Sequence, residues 1–404
     1  MRVLFTTTNW KGAYFCMVPL GWALSAAGHE VRVLCALSQA AAVRCAGLDP
    51  VPALKDIDMM VFERMARHAE ARPEDELPLL HPLTGQPLAS ADEYNAERHG
   101  AAFLREFEDI TRYNRDAAVR CARALRPSLV VHDLMSLEGP LAARVLGVPA
   151  VYHSPGMFGA YETGLDDAVG SFARHGVAQW KRTQVSHFID PTPRVLAPDA
   201  GDAVRLGSCY IPYNGPGEIA PWMWRRPERK RVCLLWSNSA LEIYGPAMPT
   251  LSHVVDAVAA HGAELWLTAS SRQVDILGEL PSGVRVLRQC PVSLLLDTCD
   301  ALIHQGSVNP MMAGAVAGLP QLMLPLTDDT REMSKRYAAA GAGLRVPGLA
   351  ARYDDVHDAV GRLLDDDALR AAALRVRSSG AQRPPVSALV APLTRLARGE
   401  DATL

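Results

Sequence analysis

The side chains best placed to do chemistry fall at a few strand ends. Asp133 follows the apolar run 129–132, and Glu138 lies about one turn further on. A carboxylate at the end of a strand, facing an apolar cleft, has its charged form penalised. Its pKa can rise toward neutrality, where it serves as a general base. For both acids a solvated group or a helix cap is the plainer alternative. In the second half, His304-Gln305-Gly306-Ser307-Val308-Asn309-Pro310 joins an apolar run to a helical one. A helix start carries unsatisfied N–H groups and partial positive charge, so this turn can hold an anion or simply begin a helix. Pro310 lacks an N–H but suits a first helical turn. Trp236 and Ser237 follow another apolar run, and Trp236 can either stack on a flat ring or fill a core. Asp329 and Cys290 sit in similar turns after apolar runs.

Such turns need a scaffold that brings strand ends and helix starts together. Runs 2–6, 31–36, 129–133 and 150–152 read as strands, with helical patterns over 18–27, 116–125 and 139–146 that stop at Gly28 and Gly147. The alternation restarts with strands 231–235, 263–268, 284–286, 301–304 and 321–324, interleaved with helices over 253–261, 292–298, 311–317, 331–340 and from 353 onward. Short apolar runs joined by crossover helices imply parallel sheets, so the fold class is α/β, in two Rossmann-like halves. Neither first strand is followed by GxGxxG, so no dinucleotide fingerprint is present. Residues 55–115 show mixed charge, prolines and scattered aromatics without a clear period, which reads as a functional loop region. The expected boundaries are a first domain 1–212, a Pro-, Gly- and Arg-rich linker 213–230, a second domain 231–385 and a helical tail 386–404.

Composition narrows the function classes. A net charge of −3 over 404 residues argues against tracking nucleic-acid phosphates. No apolar run approaches the ~20 residues of a membrane span, and the start lacks a secretory cleavage pattern, so no membrane partner and a cytoplasmic location are expected. The eight cysteines show no metal-ligand spacing and read as buried free thiols, with no metal.

Several runs carry a resemblance. Met1-Arg2-Val3-Leu4-Phe5, Val18-Pro19-Leu20-Gly21-Trp22-Ala23-Leu24, Ala26-Ala27-Gly28-His29-Glu30-Val31-Arg32-Val33, Tyr210-Ile211-Pro212-Tyr213-Asn214-Gly215, Ala301-Leu302-Ile303-His304 and Ala317-Gly318-Leu319-Pro320-Gln321 are similar to actinomycete glycosyltransferases that attach deoxysugars to macrolide and aromatic polyketides. The resemblance spans nearly the whole chain in order. It implies the GT-B fold, two Rossmann-like domains with parallel sheets facing a central cleft, with the acceptor mainly on the first domain and the nucleotide sugar mainly on the second. It implies transfer with inversion and without metal or other cofactor, from a TDP-linked deoxysugar co-substrate to a hydrophobic polyketide-like aglycone. By the same resemblance Asp133 and Glu138 are the candidate catalytic acids, while His304, Gly306, Ser307, Asn309, Asp329, Trp236, Ser237 and Cys290 are candidate donor contacts.

The departures from the family pattern fall on the chemical positions. The family's base, a His before the Val-Pro-Leu helix, corresponds here to Ala13, which leaves Asp133 as the leading base, with Tyr14 and His132 nearby. In the diphosphate turn, Ser307 and Asn309 replace glycines. The sugar-holding Asp-Gln pair becomes Asp329-Thr330, and Gln289-Cys290-Pro291 takes the position that cradles the pyrimidine through its backbone. Met59, Met60, Phe62, Phe103, Phe107, Met157 and Phe158 are candidates for an aglycone pocket. Two readings stay open: a working transferase, or a catalytically inactive partner or scaffold in a natural-product pathway. Association as a homodimer or with a partner glycosyltransferase also stays open.

Overall fold

A computed structural model describes residues 1–402 except 71–78, 161–165, 182–183, 219, 226–227, 247–248, 289 and 350. Gln289 and part of the expected linker therefore lie outside the described residues. The chain forms two compact α/β units, each built on one parallel sheet. The first comprises residues 1–57, 104–216 and 379–404, and the second 58–103 and 217–378.

In the first unit the strands are β1 (Arg2–Thr6), β2 (Glu30–Ala36), β3 (Asp49–Leu54), β4 (Leu129–His132), β5 (Ala150–His153), β6 (His187–Asp190) and β7 (Val204–Gly207), in spatial order β3-β2-β1-β4-β5-β6-β7. The second unit holds β8 (Arg231–Leu235), β9 (Glu264–Thr268), β10 (Val284–Leu287), β11 (Ala301–His304), β12 (Gln321–Met323) and β13 (Gly343–Arg345), in order β10-β9-β8-β11-β12-β13. Every ladder is parallel, with Phe5 between Val33 and Val131, and Leu235 beside both Thr268 and His304. Helices cover both faces of such a sheet, so successive residues feed opposite cores. On β8, Val232 and Leu234 enter one core cluster, and Cys233 and Leu235 enter the other.

In both sheets the strand order reverses between the first and fourth strands of the unit, at β1/β4 and β8/β11. Loops leaving the two central strands there diverge to opposite faces and open a crevice, the usual ligand position in this architecture. Asp133 follows β4, and the run from Gln305 to Pro310 follows β11. Topology thus brings the two sequence-predicted constellations to equivalent places, one in each unit.

Four strands escaped the sequence reading. The first is β3, with Pro50 and Pro52, which a central strand would exclude but a sheet edge tolerates. The others are the four-residue β6 and β7 and the three-residue β13, which carry little pattern. The region without a clear period contains the helices Met59–Glu70 and Ala96–Leu125. The longer helix was legible only over 116–125; ahead of that its buried positions include the polar Thr111, Asn114 and Arg115, so no apolar stripe marks its earlier turns. The two units do not divide at a single linker. One crossing, at Pro216/Gly217, falls inside 213–230, but the chain also changes unit after Ile57, Phe103 and Ser378.

The C-terminal residues return to the first unit, where the fully buried Asp190 takes Arg205 Nη1 at 2.8 Å and Arg383 Nη2 at 3.4 Å. The eight cysteines are free, and four of them are buried. Among the described residues no helix is long and apolar enough to cross a membrane, and no group of acids, histidines and cysteines is arranged to hold a metal.

Candidate active site

At the β1/β4 reversal, Asp133 is 1% exposed and saturated with donors. Its Oδ2 accepts from Thr8 N at 2.7 Å, Thr8 Oγ1 at 2.9 Å and Thr7 Oγ1 at 3.0 Å. Its Oδ1 accepts from Ser136 N at 2.7 Å and Met135 N at 2.9 Å. Burial pushes the carboxyl above its ordinary range, while the bonds from Thr8, Met135 and Thr7 pull the other way. Five donors fill the roughly four lone-pair sites of a carboxylate. An acceptor hydroxyl could approach Asp133 only if one of these donors left. The residue expected to face a cleft instead ties the loop after β1 to the loop after β4.

Glu138 is also committed. It opens the helix Glu138–Leu146, is 7% exposed, forms an ion pair with Arg115 and accepts from Ser136 Oγ at 3.0 Å. It is a structural counter-ion and not a free acid. Ala13 lies in the short helix Lys11–Phe15 and offers only a methyl group. The Tyr14 hydroxyl is buried without a hydrogen-bond partner, and burial raises its pKa beyond any catalytic range. His132 Nδ1 donates to Asp133 O at 3.0 Å, which leaves Nε2 as the ring's acceptor atom, and burial lowers its pKa to about 4.

The β8/β11 reversal is built from neutral groups. His304 is fully buried: Gly306 N donates to its Nδ1 at 3.0 Å, so Nε2 carries the proton and donates to Gln321 Oε1 at 2.8 Å. Burial lowers its pKa to about 4, so it stays neutral. Expected to contact a phosphate directly, His304 has both nitrogens occupied and shapes the turn instead. Gln321 Nε2 in turn donates to Met311 O at 3.0 Å and Tyr337 OH at 2.7 Å. Gly306 has φ +79, and a Cβ there would stand 3.0 Å from Ser334 Oγ and 3.2 Å from Thr330 Cβ, so only glycine fits without strain.

Two glutamines clamp the neighbouring loop. Ser237 N donates to Gln305 Oε1 at 2.9 Å, and Ser237 O accepts from Gln273 Nε2 at 3.0 Å. The Ser237 hydroxyl caps the helix Asn238–Tyr244 by accepting from Ser239 N at 3.1 Å. Among the described residues, Gln305 Nε2 and Ser334 Oγ are buried without hydrogen-bond partners. Ser307 stands at the N-cap of the ten-residue helix Val308–Ala317 without using its side chain as a cap, and Asn309 is half-buried in the first turn. Trp236 is 6% exposed, joins the second unit's core cluster and also borders a cavity with Leu241, Gln273 and Ile276. Asp329 is exposed and accepts from Thr330 N at 2.8 Å in the first turn of the helix Asp328–Ala339. Cys290 is half-buried, leans on the core, and has its thiol pushed up by burial. Of the aglycone-pocket candidates, Met157 is fully buried and Met60 packs against the second unit's core. Gln273, Gln305, Gln321 and Tyr337 were missed. The one available signal was a glutamine opening the apolar run 321–324.

Comparison with known proteins fixes the family. The erythromycin biosynthesis protein CIII-like family matches with its N-terminal domain over residues 22–236 and with its C-terminal domain over 252–396. The chain belongs to this family. It is 33% identical to an L-demethylnoviosyl transferase of Streptomyces niveus, covering 95% of both chains. It is 29% identical to the 3-alpha-mycarosylerythronolide B desosaminyl transferase of Saccharopolyspora erythraea, covering 99% of both. Among solved structures it matches the spinosyn forosaminyltransferase SpnP with a TM-score of 0.77 at 26% identity, over 98% of this chain and 99% of that one. It matches the glycosyltransferase VinC in complex with dTDP with a TM-score of 0.76 at 27% identity, over 99% and 100%. The fold is therefore GT-B, and the chain is a glycosyltransferase of the macrolide and polyketide deoxysugar family.

Proposed function

We propose that this family member transfers a deoxysugar from a TDP-linked donor to a hydrophobic polyketide-like acceptor, with inversion and without a metal. The acceptor oxygen bonds to the anomeric carbon from the face opposite the nucleotide, the bond to the diphosphate breaks, and TDP leaves with the electron pair. The observation that carries this reading is the distribution of buried acids. Asp133, Glu138, Asp167 and Asp190 all belong to the first unit, and the second buries none among its described residues. An anionic diphosphate is therefore assigned to the second unit, where Gly306, the start of the helix Val308–Ala317 and the unpaired donors Gln305 Nε2 and Ser334 Oγ surround one turn. Ser307, Asn309 and Ser237 border this turn, and Asp329 lies beyond it as a partner for a sugar hydroxyl. The Cys290 backbone is assigned to the pyrimidine.

Asp133, the leading base from sequence, is reassigned as a positioning residue that fixes Thr7 and Thr8. A general base contributes roughly 10²- to 10⁴-fold. With Ala13 and a saturated Asp133, the reading favours an acceptor whose nucleophilic group is already acidic, such as a phenol, with its proton passing to water. Rates across acceptors of graded pKa test this. A steep rise with acceptor acidity is expected, and full activity on unactivated alkyl hydroxyls would overturn it. The same two residues favour the other reading, a catalytically silent partner protein. Titration calorimetry with TDP separates the two, because a silent scaffold has no need to bind it, and no heat at millimolar TDP would sink the transferase reading.

A further inference from the structure

The segment expected to line an acceptor pocket is seated on the unit assigned to the donor. Within the second unit, Arg64 of the helix Met59–Glu70 is 7% exposed. Its Nε donates to Pro82 O at 2.7 Å, and its Nη1 donates to Glu242 O at 3.1 Å, in the last turn of the helix Asn238–Tyr244. One turn along, the Arg67 guanidinium lies 4.8 Å from the centroid of the Tyr244 ring. Leu80 rests on Gly245, where an added Cβ would come within 3.1 Å of its Cδ2. Phe62 and Phe103, both in the same segment, pack with ring centroids 5.2 Å apart.

The helix Asn238–Tyr244 reaches the donor loops from both ends. Its N-cap, Ser237, is held by Gln305 and Gln273, and the Tyr244 hydroxyl donates to Leu326 O at 3.1 Å, just before the loop that carries Asp329. Seven residues span only about 10 Å at 1.5 Å per residue, so this helix moves as a single piece. The seated segment meets this helix through Arg64 and Arg67, and meets the following Gly245 through Leu80.

The geometry points to Arg64 as a positioning residue that couples donor binding to the order of residues 58–70 and 79–103. A diphosphate that fixes Gln305 and Ser237 fixes the helix Asn238–Tyr244, which then presents the Glu242 carbonyl and the Tyr244 ring to Arg64 and Arg67 at a lower entropic cost. Phe62 and Phe103, the aromatics expected to line an acceptor pocket, are thereby ordered by the donor. This coupling rests on the donor assignment under Proposed function.

The test is amide hydrogen exchange on the full chain with and without TDP, alongside calorimetry with the same ligand. TDP is expected to slow exchange across residues 59–70 and 80–88 by about fivefold or more, the low end of ordinary coupling between sites. In Arg64→Ala, TDP should still bind within a few-fold of wild type while that response vanishes. Arg64→Lys, which keeps one donor, should restore part of it. Tyr244→Phe keeps the ring beside Arg67 but removes the bond to Leu326 O, so it loosens the helix independently should Arg64→Ala fail to fold, and it should weaken the response. TDP binding in the wild type with no change in the exchange of 59–70 would overturn the coupling and leave the donor site standing. Absence of TDP binding would remove both. A response in Arg64→Ala equal to that of wild type would take the role away from Arg64.

Discussion

The two topological reversals share a geometry and differ in charge. At β1/β4 the sheet ends on a buried carboxylate that gathers five donors from two loops. At β8/β11 it ends on a neutral histidine between Gly306 N and Gln321, with the glutamines 273 and 305 holding the next loop. The first arrangement spends its donors internally and repels an anion. The second leaves the Gln305 amide and the Ser334 hydroxyl unpaired and places no buried acid nearby. One scaffold, used twice, thus ends in one turn whose donors are spent internally and in another that keeps two buried donors unspent among the described residues, according to which side chain completes it.

The comparison breaks most visibly at Asp133. Asp133→Ala should cost about 3 to 5 kcal/mol, because it takes the acceptor from five donors, those of Thr7 and Ser136 in buried bonds and those of Thr8 and Met135 in part-buried ones. Asp133→Asn should cost less, since one oxygen still accepts. Urea midpoints measure both, and a loss under 1 kcal/mol for the alanine variant would show that the loops do not depend on the clamp.

Next in size is the acid limb of stability. His132, His153 and His304 are each held neutral by burial, with pKa values of about 4. The unfolded chain, with an ordinary value near 6.5, therefore binds more protons between about pH 4 and 6.5. Each histidine's contribution is complete above that window and lost as pH falls through it, by up to roughly 3 kcal/mol per ring. Chemical denaturation at successive pH values should show this slope. His304→Gln should flatten the second unit's share, and an unchanged slope would mean that His304 is not buried neutral.

Gln321→Leu should cost about 2 to 3 kcal/mol, since it strands the His304 Nε2–H and the Met311 carbonyl. It should also weaken TDP binding roughly tenfold, or about 1.4 kcal/mol, by loosening Gly306, whereas Asp133→Asn should leave TDP affinity unchanged. Calorimetry on the two variants tests whether the units are specialised, and equal losses would erase the distinction. The smallest expected effect is a gain. Ala13→His should raise turnover of poorly acidic acceptors by roughly tenfold, and no gain would mean that the first unit no longer presents residue 13 to an acceptor.

Most of the sheet framework was legible because buried parallel strands are apolar runs, and β1, β2, β8, β9 and β11 announce themselves. The edge strand β3 was hidden by its prolines, and the part of the helix Ala96–Leu125 before residue 116 by buried polar residues such as Thr111 and Asn114. The positions of chemical interest were also legible, since loops after strands 129–132 and 301–304 must meet the sheet's end. Their roles were not. A carboxylate read from sequence looks available, and only its neighbours show that Thr7, Thr8, Met135 and Ser136 have already claimed it.

By itself the sequence determined two parallel α/β units, the places where their chains reverse, and the family resemblance, because strand hydrophobicity and motif order are local properties. Tertiary structure alone decided that Asp133 and Glu138 are satisfied, that His304 is a neutral spacer, that Trp236 is core, and that residues 58–103 sit with the second unit. These outcomes join near neighbours to distant ones: Asp133 is held by Met135 and Ser136 but also by Thr7 and Thr8 across 125 or 126 residues, His304 by Gly306 but also by Gln321 across 17, and Arg64 reaches Glu242 across 178, and no local pattern of residue types encodes the distant partner.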